Sequence, residues 1–186
     1  MGIPVDATVF LFAGKLMPKK QPMQALEALA QLGPATGKAH LLFAGDGELR
    51  AECEAYARTF ALPVSFTGFL NQSRMPEAYA VSDVLLLPSA YDETWGLVVN
   101  EAMACGLPAI VSDRVGCAPD LVIEGETGAV FPSGQTSALA VLMGRYATAP
   151  QTATTQGTNA ARHVERYSLD EATDNTVSAI LSTARL

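Results

Sequence analysis

The chain has 186 residues, 49% of them apolar, and a formal net charge of −7. That length suits one domain with a full core, and the charge disfavours nucleic acid or an anionic membrane as the main partner. No apolar run approaches the roughly 20 residues that span a bilayer, and the opening Met-Gly-Ile-Pro-Val-Asp lacks the basic and apolar regions of a secretory signal.

The first strand is expected at Thr8 to Ala13, a run of strand-forming apolar residues. A loop, Gly14 to Lys20, follows it and carries three of the four lysines of the chain. Pro22 is a good first helical residue, and Met23, Leu26, Leu29 and Ala30 give a helical stripe up to Gly33-Pro34. A second strand is expected at Ala39 to Ala44, with Gly45-Asp46-Gly47 turning the chain into a helix from Glu48 to Phe60. Val64 to Thr67 reads as a third strand ending at Gly68, Ser73 as the cap of a short helix through Ala80, and Asp83 to Pro88 as a fourth strand.

Beyond it lies a loop-to-helix junction, Glu93-Thr94-Trp95-Gly96-Leu97, whose helix Gly106 stops. Then come a strand at Ala109 to Ser112, a short helix near Pro119 to Ile123 and a last short strand at Ala129 to Phe131. A helix is expected from Ser137 to Tyr146, and a mobile connection over 147–157. Two helices complete the chain. The second, about 168–184, opens with the capping box Ser168-x-x-Glu171 and carries the apolar residues Leu169, Val177, Ile180 and Leu181.

Strands and helices alternate throughout, and the strands are apolar on both faces. The expected fold is therefore α/β, a Rossmann-like doubly wound parallel sheet of about six strands over a single domain, 1–186. Ligands of such sheets bind at the carboxyl ends of the strands. The lysine loop, the Gly-Asp-Gly turn, the Gly68-Phe69-Leu70 loop and Glu93 all fall there.

Glu93 and Glu101 stand eight positions apart. At 1.5 Å per helical residue they span roughly 12 Å at most. That is about the distance from the sugar to the ribose of a nucleotide-sugar, with the diphosphate over the free N–H groups of a helix start. Each carboxylate can accept from a pair of hydroxyls. Spacing alone also allows a plain account, with Glu93 in a solvated loop and Glu101 on a helix face. The lysine loop is open in the same way: a diphosphate grip, or a solvated basic loop. Gly45 and Gly47, and Gly68 with Leu70, are equally compatible with ordinary turn chemistry.

The segment Glu93-Thr-Trp-Gly-Leu-Val-Val-Asn-Glu101-Ala-Met-Ala-Cys-Gly-Leu-Pro resembles the E-x7-E segment of the retaining glycosyltransferases of family 4, which have the GT-B fold. Trp95 stands where that family usually has Phe. The resemblance covers roughly residues 8–182 and implies that this is one half of a GT-B fold, the half that binds the donor. It implies that Glu93 contacts the donor sugar, Glu101 the ribose, and Lys15 and Lys20 the diphosphate, with Thr94, Trp95, Gly96 and Leu97 beside them. Gly45 and Gly47 would let backbone approach the nucleoside, and Gly68 and Leu70 would meet the base. Lys19 is expected to face solvent.

The resemblance further implies a UDP-, GDP- or ADP-sugar as substrate, and an N-terminal acceptor domain as the absent partner of the closing helix. The full enzyme is expected to transfer a hexose-type sugar, and this chain alone to be inactive. No D-x-D motif or His/Asp cluster suggests a metal, and no cofactor is expected. Cys53, Cys105 and Cys117 lack metal spacing and read as buried thiols of a reducing cytoplasm. Any association with the inner face of the membrane would come through the absent half. His40 and His163 read as structural. Two other classes share the pattern: a nucleotide-sugar isomerase of 2-epimerase type, and a non-catalytic nucleotide-binding module.

Overall fold

The computed structural model describes residues 2–33 and 38–183. Six strands form one sheet: β1 (Thr8–Ala13), β2 (Ala39–Ala44), β3 (Val64–Gly68), β4 (Val84–Leu87), β5 (Ala109–Ser112) and β6 (Gly128–Phe131). Every pairing is parallel, and the order is β3-β2-β1-β4-β5-β6. The helices are α1 (Pro22–Leu32), α2 (Arg50–Thr59), α3 (Met75–Ala80), α4 (Leu97–Ala104), α5 (Ala118–Leu121), α6 (Thr136–Thr148), α7 (Gln151–Val164) and α8 (Leu169–Thr183). The expected stop at Pro34 and the last residue of the expected closing helix lie outside the described residues.

Alternate strand residues feed two cores, as the period of two requires. Phe10, Phe12, Leu41, Phe43, Leu86 and Ile110 pack with α1, α2 and α6. Leu11, Leu42, Leu85, Leu87 and Val111 pack with α3, α4 and α5. Burial on both faces is why these strands read as continuous apolar runs. Each fully buried Leu or Phe contributes about 1.5–3 kcal/mol. β3, at the edge, is only half-buried.

Three local expectations are corrected. Residues 147–157 do not form a connection: α6 runs to Thr148 and α7 starts at Gln151. α7 packs through the small residues Ala153, Gly157 and Ala160, where a Cβ on Gly157 would lie 1.9 Å from the Gly106 carbonyl oxygen, while Thr154, Thr155 and Thr158 are exposed. Small residues let α7 lie against the α4–β5 junction. Ser73 does not cap α3; Asn71 Oδ1 accepts the Arg74 N–H at 3.1 Å, and the Ser73 hydroxyl instead donates to that same oxygen. Cys105 is exposed rather than buried, since it follows α4 on its outer side; Cys53 and Cys117 are buried.

The strand order reverses between β1 and β4. The connection after β1 goes to one side of the sheet and the one after β4 to the other, so their loops part and leave a crevice at the carboxyl ends.

Candidate functional site

The loop after β1 is tied to the turn after β2. Gly14 N–H donates to Ala44 O at 3.0 Å, Leu16 N–H to Asp46 O at 3.0 Å, and Leu49 N–H to Leu16 O at 3.0 Å. Leu16 is fully buried and anchors the loop, which leaves Lys15 exposed beside it. The approach is too close for side chains. A Cβ on Gly45 would lie 1.8 Å from Gly14 O, and one on Gly47 2.4 Å from Leu16 O. The requirement for both glycines is thus met inside the chain, at the junction of two loops, whatever ligand lies above. Asp46 accepts from the Gly47 N–H at 2.8 Å and from Arg50 at 2.9 Å, which together hold its carboxyl below the usual range.

Lys20 ends a 3-10 turn, Pro18–Lys20, that Gln21 closes in the left-handed region at φ 55°. The Gln21 side chain donates to Pro18 O at 2.8 Å and supports that uncommon conformation. The turn delivers the Lys20 ammonium across the β1/β4 crevice onto Glu93, with which it forms an ion pair. The same Glu93 oxygen accepts from the Ser89 hydroxyl at 2.8 Å. Ser89 is fully buried, and its own carbonyl accepts from the Ser112 hydroxyl. Lys19 does not simply face solvent: it is half-buried, and its ammonium reaches the Asp92 carbonyl at 3.4 Å.

Residues 93–95 are held by a short parallel bridge to 115–117. Gly116 N–H donates to Glu93 O and Cys117 N–H to Trp95 O, each at 2.9 Å. A Cβ on Gly116 would lie 1.9 Å from Thr94 O, so only glycine fits there. Gly96, at φ 97°, then turns the chain into α4. Trp95 donates to Asn100 Oδ1 at 2.8 Å, and its ring lies 6.2 Å from that of Tyr167. The indole therefore points towards the C-terminal segment and forms no wall of the cleft described next. Thr94 and Leu97 are exposed.

A cleft of about 620 Å³ opens at the carboxyl ends. Lys15, Asp46 and Glu101 supply its charges, and Phe69, Leu70, Met75 and Val98 its apolar walls, with Gly45 and Gly47 between. Glu101 accepts from the Tyr79 hydroxyl at 2.6 Å. Burial, then that bond, raises the Tyr79 phenol above its ordinary value, so it is a permanent donor. The structure thus brings Lys15, Gly45, Gly47, Leu70 and Glu101 into one cleft. Lys20 and Glu93 form a separate pair between β1 and β4. Gly68 stands behind Leu70, its carbonyl accepting the Gly45 N–H at 2.9 Å. Such a cleft can take a ligand with a flat apolar body, hydroxyls and an anionic group.

Sequence reading missed Tyr79 and Ser89. Both act on the glutamates from other elements, and Tyr79 lies 22 positions from its partner, so no local pattern marks it. His40 is tied to the Ser65 hydroxyl at 2.9 Å, and His163 contacts the Asp120 carbonyl at 2.8 Å. Among the described residues no group of three or more His, Cys, Asp or Glu side chains could hold a metal ion, and no helix is long and apolar enough to cross a membrane.

A family model described as "Glycosyl transferases group 1" matches residues 1–163. A D-inositol 3-phosphate glycosyltransferase of Saccharomonospora viridis is 30% identical over 185 residues, covering 94% of this chain and 42% of the relative. The sulfoquinovosyl transferase SQD2 of Arabidopsis thaliana is 39% identical over 114 residues, 60% of this chain and 22% of its own. Among solved structures, Anabaena Alr3699/HepE in complex with UDP and glucose is 25% identical, with a TM-score of 0.80 over 96% of this chain and 49% of that one. The lipopolysaccharide outer core galactosyltransferase WaaB, 24% identical with a TM-score of 0.82 over 95% of this chain and 49% of that one, shares the fold. The chain spans about two fifths of the length of the first of these relatives.

Proposed function

Because the chain belongs to the glycosyl transferases group 1 family, we propose that it is the donor-binding half of a retaining glycosyltransferase. The whole enzyme moves a hexose-type sugar from a nucleoside diphosphate to an acceptor held by a second, N-terminal domain. One observation carries this reading. The crevice where the strand order reverses holds a cation and a carboxylate in one apolar-walled cleft, with a second cation–carboxylate pair beside it.

In this reading the base lies against Phe69 and Leu70, and Glu101 accepts the ribose hydroxyls. Lys15 and Lys20 meet the diphosphate, Glu93 the sugar hydroxyls, and Gly96 with Leu97 sets the start of α4 towards the phosphates. Breaking the sugar–phosphate bond leaves extra negative charge on the departing diphosphate. Fixed cations and N–H dipoles aimed at that charge lower the barrier. These groups carry the stabilisation, and no metal role is assigned. A uridine diphosphate sugar is the first donor to try, given the ligands named for Anabaena HepE. The three free thiols, one of them exposed, suit a reducing compartment, the cytoplasm.

Calorimetric titration of nucleoside diphosphates and their sugars tests the reading. Glu101→Ala should weaken both ligands, because both contain ribose. Glu93→Ala should weaken the sugar donor more than the diphosphate. Equal losses for both ligands in the Glu93 variant would remove that division of labour, and no binding of any nucleotide would remove the reading itself.

A further inference from the structure

Tyr79 and Glu101 meet across the cleft wall from different helices. Tyr79 lies on α3 and is 3% exposed, while Glu101 lies on the outer side of α4 and is exposed. An exposed glutamate ordinarily samples several rotamers. Here the Tyr79 hydroxyl donates to Glu101 Oε2 at 2.6 Å, which selects one of them. Among the described residues Glu101 has no cation partner. Glu93 differs, because an ammonium neutralises it.

We infer that Tyr79 is a positioning residue: its phenol holds one oxygen of Glu101 so that the other is presented to the ribose hydroxyls of a nucleotide in the cleft. This rests on the reading of Glu101 given above. A neutral donor suits the task. It fixes the carboxylate without cancelling its charge, and a carboxylate keeps acceptor capacity after taking one hydrogen bond. An arginine in its place would orient the group and weaken it as an acceptor. The tyrosine ring does a second job, since it and Met75, one turn earlier, both line the cleft. Burial of the phenol keeps its proton in place across the physiological range. The arrangement sets the rotamer before the ligand arrives, so binding does not have to freeze it.

The test compares a nucleoside diphosphate with its 2′,3′-dideoxy counterpart by calorimetry, using whichever of UDP, GDP and ADP binds best. The proteins are the natural chain, Tyr79→Phe, Glu101→Gln and the double variant, and melting curves accompany each. Phenylalanine keeps the ring in its buried place, so the fold is retained. The natural chain should prefer the ribose form. Tyr79→Phe should lower affinity for that form about fivefold to twentyfold, as for one charge-assisted hydrogen bond. It should leave the dideoxy form unchanged and Tm within about 2 °C. In the Glu101→Gln background the same change should have no further effect. A Tyr79→Phe variant that keeps its ribose preference, whatever its Tm, would make the contact a mere α3–α4 tether and overturn the inference alone. Equal loss for both nucleotides would do the same. A natural chain with no ribose preference would overturn the reading of Glu101 and this inference with it.

Discussion

Lys15 and Lys20 share one loop and one expected ligand, yet their surroundings separate them. Lys15 is exposed, whereas the Lys20 side chain is 17% exposed and paired with a Glu93 side chain that is 12% exposed. Lys15→Ala should weaken binding of the free diphosphate, and Lys20→Ala binding of the sugar donor, by about 1–3 kcal/mol each. Only Lys20→Ala should also lower Tm, because it leaves a largely buried carboxylate without its cation. Calorimetry and melting curves on the two variants check this, and matching Tm values would remove the distinction. His40 gives a pH prediction. Burial lowers its pKa, so the folded state resists the proton that the unfolded chain accepts near pH 6.5. Unfolded chains then bind more protons below that pH, and stability falls as pH falls through it. His40→Gln should flatten the Tm profile between pH 7 and 5. The two glutamates were singled out by the resemblance, since their spacing alone left a solvated loop and a plain helix face open. Their supports, Tyr79 and Ser89, were not, because a hydrogen bond between separate elements leaves no periodic trace.

Among the elements, the bridge of 93–95 to 115–117 sets where the Glu93 backbone stands. Gly116→Ala places a methyl 1.9 Å from the Thr94 carbonyl oxygen, and backbone cannot yield cheaply. The cost should be about 1–3 kcal/mol, or roughly 3–10 °C in Tm, with weaker donor binding. A variant of unchanged Tm would show that the bridge is dispensable. α8 makes the opposite case. None of its side chains is buried, and Leu169, Val177, Ile180 and Leu181 are all exposed. Ending the chain at Ser168 should therefore leave Tm within about 2 °C, whereas ending it at Pro150 removes the buried residues of α7 and should unfold it. β1, β4 and β5 were readable because burial on both faces writes a nearly unbroken apolar run, whereas β3, half-buried at the edge, alternates Val64-Ser65-Phe66-Thr67. α7 was harder. Its contact with Gly106 selects small residues and its outer face carries exposed threonines, and that composition is also the composition of a loop.

At the scale of the molecule, the parallel order β3-β2-β1-β4-β5-β6 collects every proposed ligand group at one end of the sheet. In the proposed reading a second domain holds the acceptor, so binding and transfer should separate. The purified chain should bind a nucleotide-sugar and transfer it to sugar, lipid or peptide acceptors far below an ordinary enzymatic rate of roughly 1 per second. Positioning of two reactants supplies about 7–11 kcal/mol of barrier reduction, and one half of a cleft positions one reactant. Radiolabelled donor measures this, and transfer at an ordinary rate would show that these residues suffice. Donor affinity should also be the same with and without EDTA, because lysines and helix N–H groups are assigned the diphosphate charge; a loss on chelation would reassign it.

The Lys20–Glu93 pair has a consequence for what the crevice ignores. Without a ligand, each group already has the partner it needs. A stray phosphate that captures the ammonium strands the carboxylate, and a free sugar that captures the carboxylate strands the ammonium. Each exchange gives back about what it gains. A molecule that offers an anion and hydroxyls together replaces both halves at once. In the proposed reading the crevice works as a lock with two keys and should stay shut to a phosphate or a sugar alone. Pyrophosphate should accordingly bind Glu93→Gln more tightly than the natural chain, a gain that competition titration would read directly.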